Sequence, residues 1–137
     1  MIKMDITDIQ YPNETFDIII CCHVFEHIID DIKAMSELCR VLKNNGWAVL
    51  LVPIANMEKT YEDNSIITEA GRLAAFGQGD HVRQYGRDYI DRLKIAGFSV
   101  STIGSKDIAD EEDMKNMNLS VENIYYCKKG AGEKKNI

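Results

Sequence analysis

Two histidines and a glutamate stand together at His23, Glu26 and His27, in the spelling His-x-x-Glu-His. On an established helix this spacing would set two imidazoles on one face for zinc, with the glutamate placed to activate a water. Here His23 closes an apolar run of strand type, and helical periodicity begins only at Ile28. A strand end would separate the two rings, and no third ligand is signposted, so no metal site is expected. A second concentration of reactive groups is Gly79-Asp80-His81-Val82-Arg83-Gln84-Tyr85, with carboxylate, imidazole, guanidinium and phenol close together. It reads either as a polar loop capping the next helix or as a substrate-contact loop in which the His81 imidazole moves a proton.

Other chemistries lack their residues. A phosphate or dinucleotide loop needs glycines between a strand and a helix, because only glycine lets backbone amides approach the ligand closely. Gly77-Gln78-Gly79 follows no strand, and Gly130-Ala131-Gly132 lies in a charged stretch near the C-terminus. Cys21 and Cys22 are adjacent in an apolar run, where side chains alternate between faces, and Cys39 and Cys127 are isolated. This is no disulfide framework; the expectation is buried free thiols in a reducing compartment.

The elements that must position these groups follow from periodicity. Ile2 to Ile6 alternates as a short strand before the turn-rich Gln10 to Thr15. Phe16 to Cys22 is continuously apolar, the pattern of a parallel strand covered on both faces. Ile28, Ile32, Met35, Cys39 and Leu42 trace one helical face, with Asp30 and Asp31 at its start and Asn44-Asn45-Gly46 as a left-handed stop. Trp47 to Val52 is a second apolar strand closed by Pro53, so the unit reads strand, helix, strand with parallel strands. Residues 56–79 are polar, with a short helix around Thr68 to Phe76, and their length suggests a lid or binding loop. Tyr89, Leu93 and Ala96 mark a further helix ended by Gly97, and Phe98 to Ile103 a strand. Lys106 to Asn118 is charged and mobile in character, Val121 to Lys128 is a last strand, and 130–137 reads as a flexible, solvated tail behind a single domain over 1–129.

The 137 residues are 45% hydrophobic, 28% charged and 8% aromatic, enough for one core. A formal charge of −6 would repel a phosphate backbone or an anionic bilayer, so nucleic-acid and membrane partners are not expected. No apolar run approaches the roughly 20 residues of a membrane span, and a cytoplasmic protein is expected.

Asp5 to Ile9 followed by Phe16 to Ile28, and Glu37-Leu38-Cys39-Arg40-Val41-Leu42-Lys43-Asn44-Asn45-Gly46, resemble the central part of a class I S-adenosylmethionine-dependent methyltransferase. Asn45 and Trp47 depart from that family's Pro and second Gly. Gly79 to Arg83 and Asp91 to Phe98 are similar to the later part of small bacterial members, so the likeness covers roughly residues 3–104. The resemblance implies an α/β, Rossmann-like three-layer sandwich with a mostly parallel sheet, here N-terminally truncated, since the family's glycine-rich turn and first strands are not represented. It implies S-adenosylmethionine as cofactor and S-adenosylhomocysteine as product, and the acidic charge with no basic stripe points to a small-molecule methyl acceptor. Asp5 matches the acidic position that accepts from the adenine amino group, Ile6 its neighbour, and Cys22 and His23 the strand end beside the methionine moiety; His27 and His81 fall where substrate or base contacts belong. In the family's sheet order, 3-2-1-4-5-7-6, loss of strands 1 and 2 would bare the edge of the Ile18 to Cys22 strand and invite a homodimer through it. Two further readings stay open: a non-catalytic remnant serving as an interaction module, and, behind it, a metal hydrolase.

Overall fold

Apolar, β-branched stretches become strands where a neighbour can pair with them. Phe16–Cys22 forms β1 and Leu42–Leu51 forms β2, joined through the helix α1 at Asp31–Val41. The chain continues with β3 (Tyr61–Glu62), α2 (Glu69–Phe76), β4 (Arg83–Gln84), α3 (Tyr89–Ile95), β5 (Phe98–Gly104), α4 (Glu111–Asn116) and β6 (Asn123–Lys129). The computed structural model describes residues 1–116 and 123–130. Within the main sheet the order is β1-β2-β6-β5: β1 and β2 are parallel, and β6 runs antiparallel to both β2 and β5. Three of these four strands therefore share a direction, with the reversed strand inserted before the last. This is the α/β, Rossmann-like class expected, and the order corresponds to the 4-5-7-6 half of the seven-strand sheet. β3 and β4 form a separate antiparallel pair.

The core lies between the sheet and α1 and α3. The Asp30 carboxylate accepts from the Lys33 amide and caps α1, which turns Ala34, Met35, Leu38 and Cys39 onto Cys21, Ala48, Leu50 and Cys127. From α3 come Tyr89 and Leu93, and the Tyr89 hydroxyl donates to the Leu50 carbonyl at 2.9 Å. Each of the larger side chains contributes about 1.5–3 kcal/mol by leaving water. β1 is not covered on both faces as its apolar run suggested: Ile18 and Ile20 are 51% and 68% exposed, because the strand ends the sheet and no described element packs on that side.

Three local expectations are corrected. Ile2 to Ile6 is not a strand; residues 5–8 turn back, with the Asp8 amide donating to the Asp5 carbonyl. No described strand lies beside this segment, and α1 side chains hold it instead. The Ile9 amide donates to Glu37 Oε2 at 2.8 Å, while Arg40 donates to the carbonyls of Ile9 and Tyr11. Asn44-Asn45-Gly46 does not stop α1, which ends at Leu42 in an extended conformation and passes directly into β2. Gly46 is needed there for space, because a Cβ would stand 2.5 Å from the Asp17 carbonyl oxygen. Part of the Lys106 to Asn118 stretch is helical, as α4. Val121 and the tail over 131–137 lie outside the described residues. Gly97 follows α3 at φ 112° as expected, and the helix expected around Thr68 to Phe76 is α2, which Thr68 caps and Gly77 ends at φ 84°.

The Glu37 clamp carries a pH signature. The Arg40 hydrogen bond, with the Ile9 amide adding to it, holds the Glu37 carboxyl down at about 2, against an ordinary 4.5. A depressed carboxyl contributes stability that is present above its unfolded value and lost as pH falls toward its folded one. Glu37→Gln is therefore expected to flatten the stability profile between pH about 4.5 and about 2. Urea midpoints measured along that range would refute this if the variant lost stability as steeply as the parent.

Candidate functional site

The site is assembled where the chain leaves β1. His23 adopts φ 56°, a left-handed conformation uncommon outside glycine, and its amide still donates to the Leu51 carbonyl at 2.8 Å. This reversal sends the chain into a 3₁₀ turn over Phe25–His27, with Phe25 and Glu26 buried and His27 half-buried. The turn is then gripped from afar. Arg83 Nη1 donates to the Phe25 and Ile28 carbonyls and Nη2 to that of Ile29, while the Val82 amide donates to the Glu26 carbonyl. That docking brings His81 edge-on to His27, ring centroids 4.8 Å apart.

The polar geometry centres on Glu26. Its carboxylate is 3% exposed; Oε1 lies 3.5 Å from His23 Nδ1 and 3.9 Å from His27 Nε2. Oε2 has no hydrogen-bond partner among the described residues. His27 Nδ1 faces the Asp80 carbonyl at 3.2 Å and Oδ2 at 3.4 Å. Glu26, His27 and His81 can each turn one ligand atom inward, all within 4.8 Å of one another. His23 and His27 do not share a helical face, as the strand-end argument anticipated, yet both approach Glu26. The third imidazole comes from a segment the local spelling could not signal.

Two other members of the Gly79–Tyr85 stretch are spent on structure. Arg83, 1% exposed, also donates from Nε to Glu62 Oε2 at 3.0 Å. The Tyr85 hydroxyl donates to Asp31 Oδ2, and Arg92 bridges Asp31 and Glu62. Burial pushes the Tyr85 phenol upward, and the Asp31 charge adds to it. Burial alone would raise the Glu62 carboxyl, but hydrogen bonds from Arg92 and Arg83 outweigh it and hold it below its ordinary value. Asp88 does not cap α3; its carboxylate accepts from the Thr60 amide and hydroxyl and ties residues 56–79 down.

Two clefts meet at Pro53, Ile54 and Ala55, beyond the carboxyl end of β2. One, about 640 Å³, is lined by His23, Asn56, Arg87, Thr102 and Tyr125. The other, about 170 Å³, holds Glu26 and His81 between Phe76 and Tyr85. Open α/β sheets take ligands at this end of their strands. Asp5 and Ile6 line neither cleft. Asp5 is exposed, and hydrogen bonds from the Thr7 hydroxyl and amide to Oδ1 hold its carboxyl below the usual range. Ile6 packs half-buried against the core. Cys22 is exposed at the end of β1, unlike the buried thiol expected, because it shares the open face of Ile18 and Ile20. Cys21, Cys39 and Cys127 are buried free thiols, and burial pushes Cys21 and Cys127 up to about 12.

Residues 1–50 match the family model described as a methyltransferase domain. An uncharacterized protein of Methanocaldococcus jannaschii is 35% identical over 48 residues, which are 35% of this chain and 21% of that relative. Among solved structures, the cyclase SpnF superposes with a TM-score of 0.61 at 15% identity, over 94% of this chain and 56% of SpnF. The Burkholderia thailandensis 1,6-didemethyltoxoflavin-N1-methyltransferase, solved with 1,6-didemethyltoxoflavin and S-adenosylhomocysteine bound, gives a TM-score of 0.58 at 9% identity, over 93% and 49% of the two chains. The chain thus spans about half the length of these solved structures, and the likeness to them is one of fold.

Proposed function

We propose that this chain, which has the fold of class I S-adenosylmethionine-dependent methyltransferases and matches a methyltransferase domain over residues 1–50, is the acceptor-side half of such an enzyme and serves methyl transfer to a small molecule. The observation that carries the reading is where the match falls. It spans the Asp5 turn, β1 and α1 and ends inside β2, in a sheet ordered β1-β2-β6-β5 with β6 reversed.

The residues present fit part of the cofactor. Thr7 engages only Oδ1 of Asp5, which leaves an ionised oxygen to accept from the adenine amino group beside the Ile6 backbone. Cys22 and His23, exposed at the end of β1, would flank the methionine portion. Bound S-adenosylmethionine would supply the electrophilic methyl group, leaving S-adenosylhomocysteine. The protein's part is position and charge: the cleft beyond β2 orients the acceptor, and the His81 imidazole takes its proton. Glu26 and His27 stand beside His81 to stabilise the charge it gains. A net charge of −6 favours a small-molecule acceptor over nucleic acid. No described helix is long and apolar enough to cross a membrane.

Titration calorimetry with S-adenosylhomocysteine tests the proposal. Saturable binding is expected, weakened about 10- to 100-fold in Asp5→Ala, as for loss of a hydrogen bond to a charged group. Absence of heat would remove the enzyme reading and favour the second one, an interaction module, for which the bare Ile18 and Ile20 face of β1 speaks.

A further inference from the structure

We infer that Glu26, His27 and His81 form a binding site for one divalent transition-metal ion of the zinc type, at the wall shared by the two clefts. Two imidazole nitrogens and a carboxylate oxygen are a donor set that zinc accepts, and three protein ligands leave a coordination position for water or an acceptor oxygen. The ligand atoms lie within 4.8 Å of one another. Tetrahedral zinc, with bonds near 2.1 Å, needs separations of about 3.4 Å, so binding draws these side chains together by about 1 Å.

Two features of the geometry favour a cation at this place. Glu26 is buried to 3% exposure, and its Oε2 has no donor among the described residues, although a buried carboxylate oxygen ordinarily has one. His27 is placed as metal-bound histidines are: Nδ1 lies 3.2 Å from the Asp80 carbonyl oxygen, and the tautomer that donates there leaves the lone pair of Nε2 on the side of Glu26 Oε1, 3.9 Å away. In that tautomer two lone-pair groups face each other across the gap, an arrangement that a metal ion bridges. His81 packs its ring edge-on against His27 and lines the smaller cleft, half-buried, as the third ligand. The framework is stiff, because Arg83 and the Val82 amide lock the Phe25–His27 turn onto the Asp80–Arg83 segment. His23, with its side chain 61% exposed, is not needed.

This inference goes beyond methyl transfer and does not depend on it. The two uses of His81 exclude each other, since a ring nitrogen bound to metal cannot take a proton. An ion in this site would therefore switch off the base or replace it with a metal-bound oxygen ligand.

The test is calorimetric titration of the reduced chain with zinc chloride, without cofactor. One ion per chain is expected, with affinity in the micromolar range or tighter. His81→Ala and Glu26→Gln should each weaken it at least 10-fold, the effect typical of losing a member of a metal site, with circular dichroism confirming that both variants fold. His81 is half-buried, so its variant keeps the test decisive if Glu26→Gln does not fold. Cys22→Ser should leave binding unchanged, and cobalt should give visible d–d bands without thiolate charge transfer. Absence of zinc binding, binding that His81→Ala leaves intact, or binding abolished by Cys22→Ser would each overturn the site. Zinc binding without S-adenosylhomocysteine binding would keep this inference and remove the methyltransferase reading; the reverse result would do the opposite.

Discussion

Replacing Arg83 with methionine is expected to destabilise the protein by about 3–5 kcal/mol, the range for breaking a buried ionic network from one side. A domain of this size has about 5–15 kcal/mol in total, so much of the population would unfold under mild denaturant. The reason is the number of groups left without a donor. Arg83 serves the carbonyls of Phe25, Ile28 and Ile29 and the Glu62 carboxylate, and lies 3.7 Å from Asp31, all at 1% exposure. Arg83→Lys should recover little, because an ammonium cannot fork among so many acceptors. Arg92→Met should cost less: its side chain is 18% exposed, and Asp31 would keep Tyr85. Urea unfolding of the three variants gives the ranking. An Arg83→Met protein within about 1 kcal/mol of the parent would show that the clamp on the Phe25–His27 turn is not needed, against the expectation for buried acceptors left unpaired.

The edge of β1 should decide the state of association. The 137-residue chain is expected to self-associate through this edge, and Ile18→Lys combined with Ile20→Lys to weaken that association by at least about 100-fold. β1 bonds to β2 on one side, and no described strand pairs with its other edge. Two isoleucines, 51% and 68% exposed, lie along it on one face. Covering what remains exposed of each is worth about 1–2 kcal/mol, counted on both partners of a symmetric pair. Two lysines at these positions would repel their counterparts and end the strand pairing. Light scattering through a dilution series reads the result. A parent chain that stays monomeric at high micromolar concentration would show that a second copy does not complete this edge.

How much of this was legible beforehand varies by element. β1 and the second half of β2 are readable from their apolar, β-branched runs, and α1 and α3 from a period of 3.6 imposed by burial on one face, with the Asp30 cap acting within a turn. Ile2 to Ile6 has strand-like alternation and still forms none, because a strand exists only with a partner to take its amides. Gly46 looks like a helix stop; its true constraint is the Asp17 carbonyl on the neighbouring strand, which no local pattern contains.

The chemistry divides along the same line. Residue types and spacing determined that His23, Glu26 and His27 are neighbours, that His81 and Asp80 stand in a polar segment, and that no glycine-rich loop accompanies them. Only the folded chain decided that His81, rather than His23, completes a set with Glu26 and His27, that Glu26 is buried with a bare oxygen, and that Arg83 and Tyr85 belong to the scaffold. The physical reason is range. Periodicity and capping are settled within a few residues, whereas burial of a charge and the meeting of ligand atoms depend on contacts between segments far apart in the chain, made when the core closes.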